Sequence, residues 1–169
     1  MTTQILPEEL FFGAPVSLTY GGTEVGGTVD APKVSITTTI YTPEFQNAKG
    51  PIMGTDIVTK VVVAAEFTVN QFTAEKLAWA MPGAQTTGDT TTWEPGRIPT
   101  SAYKTLVLIG EGLDGREMIL SIYNAINVSP LEIDFSNQAI AGLKMRFEGR
   151  YESTTPTVAP FALELDLGS

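Results

Sequence analysis

The sequence feature that most constrains the fold is a strict alternation of apolar and charged side chains near the end of the chain. Leu143, Met145 and Phe147 are separated by single charged residues, and a similar alternation runs through residues 161–167. A period of two puts successive side chains on opposite faces of a β-strand, so that one face is buried and the other meets solvent or a partner. Residues 131–135 alternate in the same way and are predicted to form a further strand.

Other strands are marked by the turns beside them. Gly21-Gly22 predicts a two-residue hairpin after a strand at residues 16–20. Asp114-Gly115 predicts another hairpin, between strands at 103–109 and 117–123 that are apolar on both faces. Such strands belong at the centre of a sheet or against another subunit. Two more alternating segments are predicted to be strands, Lys33–Tyr41 and Ile57–Val69.

One segment carries the signals of a short helix. Thr73 is a favourable N-cap, Glu75 lies in the first turn, where the helix dipole favours an acid, and Pro82-Gly83 ends the segment. The residues expected on its packed face are Leu77, Ala80 and Met81. These elements predict that residues 1–169 form one domain of mainly β class, an antiparallel β-sandwich or barrel-like domain flanked by one short α-helix.

Two long stretches lack the pattern of either element. Residues 42–56 and residues 85–101 are rich in Pro and Gly, and loops of this length in a compact domain are usually functional. The first loop contains two large apolar side chains, Phe45 and Met53, and this indicates a loop that is ordered by binding. The candidate contact residues of this loop are Glu44, Phe45, Gln46, Asn47, Lys49, Met53 and Asp56.

The composition removes most catalytic chemistry. The chain has no His and no Cys, so it lacks an imidazole base, a thiol nucleophile and the usual ligands of structural zinc. Carboxylate pairs such as Glu164 and Asp166 lie two residues apart, which places both on one solvated strand face. We expect no enzymatic activity, no cofactor and no bound metal. The Asn127-Val128-Ser129 sequon has no secretory context, and we expect it to be unused.

The charge balance limits the partners of the chain. Ten basic and nineteen acidic side chains give a net charge of −9, and an acidic surface gains no counterion-release attraction to nucleic acid. No apolar run approaches the ~20 residues that span a bilayer. We therefore expect neither specific nucleic-acid binding nor contact with a membrane.

The charges are also distributed unevenly. The outward positions of residues 144–150 are mostly basic, and those of residues 162–166 are acidic. If the two strands pair within the chain, these charges help to fix their register; if they lie on opposite subunit edges, the same charges select a partner. The candidate interface residues are Lys144, Arg146, Arg150, Glu164 and Asp166.

The order of these elements resembles the major tail tube proteins of long-tailed bacteriophages, whose fold is shared by the tubes of contractile tails and of type VI secretion. The matching features are a short acidic lead-in, an early hairpin, a strand followed by the loop TPEFQNAKGPIMGTD, the long strand Ile57–Val69, the capped helix TAEKLAWAMPGA and a C-terminal β-meander. The resemblance covers most of the chain.

The resemblance implies a structural subunit that self-assembles into stacked, hexameric rings, with sheets joined edge to edge around a conduit for DNA during genome ejection. It implies an extended arm at residues 1–14 and assigns loop 42–56 to contacts with the neighbouring ring, with Phe45 and Met53 as apolar anchors. The implied partners are further copies of the chain and tape-measure, tail-terminator and baseplate proteins. The implied location is the tail of the virion, assembled in the host cytoplasm.

The acidity of the chain fits this reading, because negative walls repel phosphates and let DNA slide without specific binding. Two other classes of function stay open. One is a carbohydrate- or protein-binding β-sandwich module, such as an adhesin or a virion decoration domain. The other is a small carboxylate-based hydrolase.

Overall fold

The structure, a computed structural model, describes residues 14–111, 116–133 and 142–165. Within these ranges the regular structure is ten β-strands, one short α-helix and a 3₁₀ turn at Thr100–Ala102. The helix, α1, is Ala74–Ala80. The strands are β1 Ala14–Tyr20, β2 Thr23–Glu24, β3 Lys33–Tyr41, β4 Ile57–Val69, β5 Gln85–Thr87, β6 Thr90–Thr92, β7 Lys104–Glu111, β8 Glu117–Asn127, β9 Leu143–Glu148 and β10 Phe161–Leu165.

Eight strands form one antiparallel sheet whose two layers share β8, and β5 and β6 form a separate two-stranded sheet. One layer, the β7 sheet, has the order β2, β1, β7, β8 and β10, and the other, the β4 sheet, contains β3, β4, β9 and the last residues of β8. The buried side chains of both layers meet in one core. The prediction of a mainly β, antiparallel fold flanked by one short helix is confirmed.

Several strands have the bounds and turns that the sequence predicts. The segments Lys33–Tyr41 and Ile57–Val69 are β3 and β4 without change at either end. Tyr20 pairs with Thr23 across Gly21-Gly22, and the φ angles of the two glycines, +61° and +82°, are those of a type I′ turn. β7 and β8 lie centrally in their sheet, as their apolar character on both faces predicts.

Aromatic side chains from both layers and from α1 meet at the centre of the core. The ring centroid of Tyr20 lies 5.3 Å from that of Trp79 and 4.6 Å from that of Phe147. Phe67 stacks on Phe147 at 5.5 Å. Such pairs are worth about 0.5–1.5 kcal/mol beyond the area they bury, so this cluster fixes α1 against both sheets.

The Tyr20 hydroxyl is the polar centre of this cluster. It lies 3.0 Å from the carbonyl oxygen of Ala102 and 3.0 Å from that of Ala125, and it donates its proton to these acceptors. Burial raises the pKa of Tyr20 to about 12, because the phenolate would lose its hydration.

A bulge turns β8 from one layer into the other. The register with β7 shifts between Lys104 and Leu106, and Asn124 adopts a φ of +49°, a left-handed conformation that asparagine tolerates better than most residues. The Asn124 amide donates to a carboxylate oxygen of Glu152 at 3.2 Å. Beyond this point, Ile126 and Asn127 pair with β9 in the β4 sheet.

Helix α1 begins and ends as predicted, and its buried face is wider than the predicted one. The Thr73 hydroxyl accepts a hydrogen bond from the Lys76 amide at 3.2 Å, and Gly83 has a φ of +86° just beyond the helix. The predicted packed face is correct for Ala80, which is buried, and for Leu77, which packs against the core; Met81 is only partly buried, and the burial of Trp79 was not predicted. The buried residues are Lys76, Trp79 and Ala80, and Leu77 is partly buried.

Two other predictions about segments are wrong. Residues 85–101 are not irregular throughout, because β5 and β6 pair as a hairpin, as threonine-rich segments on either side of a glycine readily do. Residues 131–133 are not a strand; Leu131 packs against the core instead. The rest of that predicted strand, the turn at Asp114-Gly115, Asp166, residue 167 and residues 1–13 of the N-terminal arm lie outside the described residues.

Candidate assembly surface

The feature that stands out functionally is the outer part of the β3–β4 hairpin, residues 36–62, here called the distal hairpin. β9 pairs with β4 only from Ala64 to Val69. Beyond that stretch, the Tyr151 hydroxyl pairs with the backbone groups that a neighbouring strand would otherwise meet. It accepts a hydrogen bond from the Val61 amide at 2.9 Å and lies 3.1 Å from the Val61 carbonyl. The seven residues from Ile57 to Val63 extend over about 20 Å at the usual rise of a strand.

A bulge in β4 rearranges the faces of the distal hairpin. Thr39 pairs with Lys60 and Ile40 pairs with Val58, so Thr59 is the extra residue. The Thr59 hydroxyl donates to the Thr39 carbonyl at 3.1 Å. Because the bulge reverses the alternation, Val58 joins Ile40 on the face that continues the core side of the sheet. Both side chains are more than half exposed there.

Loop 42–56 is built from two tight turns closed at their base. The Thr42 hydroxyl donates to an Asp56 carboxylate oxygen across the two ends of the loop. In the first turn the Ala48 amide donates to the Phe45 carbonyl at 3.0 Å. In the second, the Thr55 hydroxyl donates to the Ile52 carbonyl at 2.8 Å.

The second turn displays Met53. Gly54 has a φ of +87°, a conformation that suits glycine at the third position of a type II turn. Met53 occupies the second position of that turn, and 98% of its surface is exposed. A turn held by two hydrogen bonds to the Ile52 carbonyl therefore presents a large apolar side chain to whatever approaches the loop.

The structure places every predicted contact residue of this loop at the surface. Glu44, Phe45 and Lys49 line a shallow cavity of about 390 Å³ with neighbouring loop residues. Met53 lies in the other turn, and Asp56 lies at the base of the loop. The full set is Glu44, Phe45, Gln46, Asn47, Lys49, Met53 and Asp56, and all of its members are exposed.

Exposed apolar surface is concentrated on the hairpin. Half of the large apolar side chains that the described part of the chain leaves exposed lie between Val34 and Val58. Scattered single residues of this kind are ordinary, whereas a contiguous group marks an interaction surface. On the hairpin, Val34, Ile36, Ile40 and Val58 share the core-side face, Tyr41 and Ile57 lie on the opposite face, and Phe45, Ile52 and Met53 lie in the loop.

Two of the three charged residues of β9, Arg146 and Glu148, form ion pairs within the chain, with partners that the sequence did not identify. Arg146 forms ion pairs with Glu66 on β4 and with Glu148, and Arg150 pairs with Glu148 at 3.0 Å. Burial raises the pKa of Glu148, but hydrogen bonds from Arg150 and Arg146 outweigh it, and the pKa lies below its usual value.

The alternative in which residues 144–150 pair with residues 162–166 inside the chain is wrong. β9 pairs with β4 and β8, whereas β10 pairs with β8, so the two charged faces belong to different layers. Lys144 and Glu164 are exposed. The use of Lys144, Arg146, Arg150, Glu164 and Asp166 as an interface between subunits stays a prediction.

The outward faces of the two layers differ in charge. The register puts glutamates, but no Lys or Arg, on the outward face of the described strands of the β7 sheet. Those glutamates are Glu24, Glu111, Glu117 and Glu164. The outward face of the β4 sheet is mixed, with Lys33, Lys60, Glu66, Lys144, Arg146 and Glu148. The outward face of the β7 sheet is thus negative along its described strands, whereas that of the β4 sheet carries both signs.

Two supporting residues were not singled out from the sequence. One is Tyr151, whose hydroxyl accepts a hydrogen bond from the Val61 amide beyond the end of the β4–β9 ladder. Asn127, the sequon asparagine, is buried, and its amide donates to the Ala80 carbonyl at 2.8 Å while its side-chain oxygen accepts from the Arg146 amide at 2.9 Å. The signal in the sequence for the role of Asn127 is its position, as a polar residue at the end of an apolar strand.

Comparisons with known proteins add no further assignment. No protein-family model matches the sequence, and no curated protein matches it. Among the described residues, no helix has the length and hydropathy needed to cross a membrane. The distal hairpin and the two unlike sheet faces are therefore the features on which a functional proposal rests.

Proposed function

We propose that this chain is a structural subunit of a bacteriophage tail tube, whose copies join into rings, hexameric by resemblance, that stack into a conduit for DNA. The observation that carries the proposal is the distal hairpin, with its exposed apolar side chains and a loop that displays Met53. The early hairpin, β3, loop 42–56, β4 and α1 follow one another as in the resemblance. The predicted C-terminal β-meander is wrong, because β10 pairs with β8 and not with β9.

The distal hairpin needs a partner on physical grounds. A two-stranded ribbon alone in water is marginally stable, and a long exposed edge strand invites pairing with another chain. The nine residues of β3 are all exposed, and the outer edge of that strand pairs with no other described strand. A neighbouring subunit that pairs with this edge and covers the apolar group would satisfy both requirements.

Loop 42–56 is suited to contact between rings. It lies at the end of the hairpin, far from the helix and the buried core, and its two turns hold Phe45 and Met53 in place. A contact made through a preformed turn loses less conformational entropy than one made through an unstructured loop. We assign the contact with the next ring to this loop and the contact within the ring to the sheet edges.

The acidic outward face of the β7 sheet is suited to the lumen of the tube. Repeated around a ring, Glu111, Glu117 and Glu164 would give a wall that repels phosphates. A wall of lysine or arginine would instead hold DNA through many ion contacts. The mixed face of the β4 sheet would then lie on the outside.

Electron microscopy of the purified protein tests the proposal directly. We expect rings or tubes in negative stain, and a three-dimensional map of a tube should place the β7 sheet toward the lumen. Monodisperse monomers at all concentrations would refute the assembly and would favour a binding module. A tube with a basic lumen would refute the role given to the acidic face.

A deletion tests the loop separately. Removal of residues 45–54 should abolish tube growth and leave a folded subunit, because those residues contribute none of the buried core. A shorter control deletion in the loop that follows β9, residues 153–157, should leave tube growth intact. If the variant without residues 45–54 still forms tubes, the assignment of this loop is wrong.

A further inference from the structure

An apolar cleft opens between the two layers on the side where β3 faces β10. One wall is formed by Pro32, Val34 and Ile36. The other wall, on the β7 sheet, is formed by Leu108, Gly110, Met118, Leu120 and Leu163. The cleft has a volume of about 250 Å³. Since Ile36 is 44% exposed and Leu163 49% exposed on the core side of their strands, the sandwich is left open here.

The chain enters the described fold next to this cleft. Ala14 pairs with Glu111 and Pro15 with Gly110 at the start of β1. Gly110 pairs in turn with Met118, and both of these residues line the cleft. The residue that precedes Ala14 is therefore attached one strand away from the nearest wall of the cleft, at a strand spacing of about 4.8 Å.

The preceding segment has the composition to fill an apolar cleft. Residues 1–13 read MTTQILPEELFFG, with Leu10, Phe11 and Phe12 immediately before the first strand. Met118 lies two strand spacings from β1, about 10 Å away. Three residues of extended chain cover the same distance at about 3.3 Å each. Phe11 is three residues from Ala14, so it can reach the position of Met118 without any change in the fold.

We propose that the chain's own residues 10–12 occupy this cleft in the unassembled subunit and close the open side of the sandwich. A segment tethered this closely competes at an effective concentration in the millimolar range, far above that of a second copy in dilute solution. Burial of the large apolar side chains of this segment removes them and the cleft walls from water. The proposal stands independently of the tail tube assignment, because it concerns the free subunit.

The absence of cysteine from the sequence makes a clean cross-linking test possible. The double variant Phe11→Cys/Met118→Cys places thiols at the segment and in the cleft. The control Phe11→Cys/Ile119→Cys moves the second thiol by one residue, to the opposite face of the same strand. Met118 and Ile119 are both partly buried, so the two variants are matched in their effect on the fold.

We expect an intramolecular disulfide in the Met118 variant to form at least about tenfold faster than in the Ile119 control, at a rate independent of protein concentration. The readout is mobility in a non-reducing gel. Equal rates in the two variants would overturn the proposal. A disulfide-linked dimer whose yield rises with concentration would also overturn it and would assign the cleft to a second copy.

A second measurement leaves the cleft unmutated. A nitroxide attached to the single variant Phe11→Cys should broaden the methyl NMR signals of Val34 and Leu163, which line the cleft, and spare that of Val158 on the far loop. If the nitroxide broadens the methyl signals of all three residues equally, or broadens none of them, the proposal is refuted. This outcome counts even if a cysteine in the cleft had prevented folding of the double variant.

Discussion

Replacement of Met53 by glutamine should separate assembly from folding. The substitution keeps the length of the side chain and makes its end polar. In the free subunit 98% of the surface of Met53 is exposed, and the turn around it is held by the Ile52 carbonyl and Thr55, not by the Met53 side chain. Surface changes of this kind usually alter the free energy of unfolding by less than about 0.5 kcal/mol.

The cost should appear only when subunits join. Full burial of a methionine side chain contributes about 1.5–3 kcal/mol, and each 1.4 kcal/mol corresponds to a factor of about ten in an equilibrium constant. If Met53 is buried against the neighbouring ring, its loss raises the critical concentration for tube formation by about tenfold to a hundredfold. Burial of a polar amide in its place adds to this effect.

The assay is sedimentation of the assembled protein over a series of concentrations, with urea unfolding of the unassembled subunit measured in parallel. The matched control is Val158→Thr, an equally conservative exchange of an apolar side chain that is 62% exposed on another loop. An unchanged critical concentration for Met53→Gln would refute the role of the loop tip. So would an equal rise for Val158→Thr, because apolar exposure alone would then explain the effect.

Three further outcomes follow from the fold. Tyr151→Phe removes the hydroxyl that pairs with Val61, and we expect amide exchange at Val61 to accelerate about tenfold or more while the global stability falls by about 1–2 kcal/mol. The pKa of Tyr20 is about 12 in the folded state and 10.0 in its reference state. The free energy of unfolding is therefore unaffected by this group below pH 10 and falls by about 2–3 kcal/mol as the pH rises toward 12. Urea unfolding of Tyr20→Phe over the same pH range should lack this fall. Asn127→Leu leaves the Ala80 carbonyl without its buried donor, and we expect a loss of about 2–4 kcal/mol in thermal or urea unfolding. A loss within 0.5 kcal/mol of zero would show that the C-terminal end of α1 does not depend on the hydrogen bond from Asn127.

The parts of the fold that could be predicted are those determined by neighbours in sequence. The bounds of β3 and β4 follow from alternation and from the prolines and glycines between them, and the start of α1 follows from the Thr73 cap. Each of these signals acts over a few residues, so no knowledge of the rest of the chain was needed.

The parts that could not be predicted depend on contacts between distant segments. Trp79 is buried because Tyr20, far away in the chain, approaches α1. The partner of Arg146 is Glu66 because β9 pairs with β4. The alternation of apolar and polar residues predicts a strand but does not say which strand lies beside it. The loop 42–56 was found from its length and its apolar residues, but the bulge that turns Val58 toward Ile40 depends on the register of both strands.

The sharing of β8 between the layers has a mechanical consequence. The distal hairpin is joined to the β7 sheet through the β4–β9 ladder and then through the last residues of β8. A pull along the hairpin loads that ladder lengthwise, so its hydrogen bonds are sheared together instead of being opened one after another. The tension then passes the bend at Asn124 and enters the strand that also holds β7 and β10. A force applied at loop 42–56 is therefore borne by the whole sandwich, and the subunit responds to traction as one stiff body.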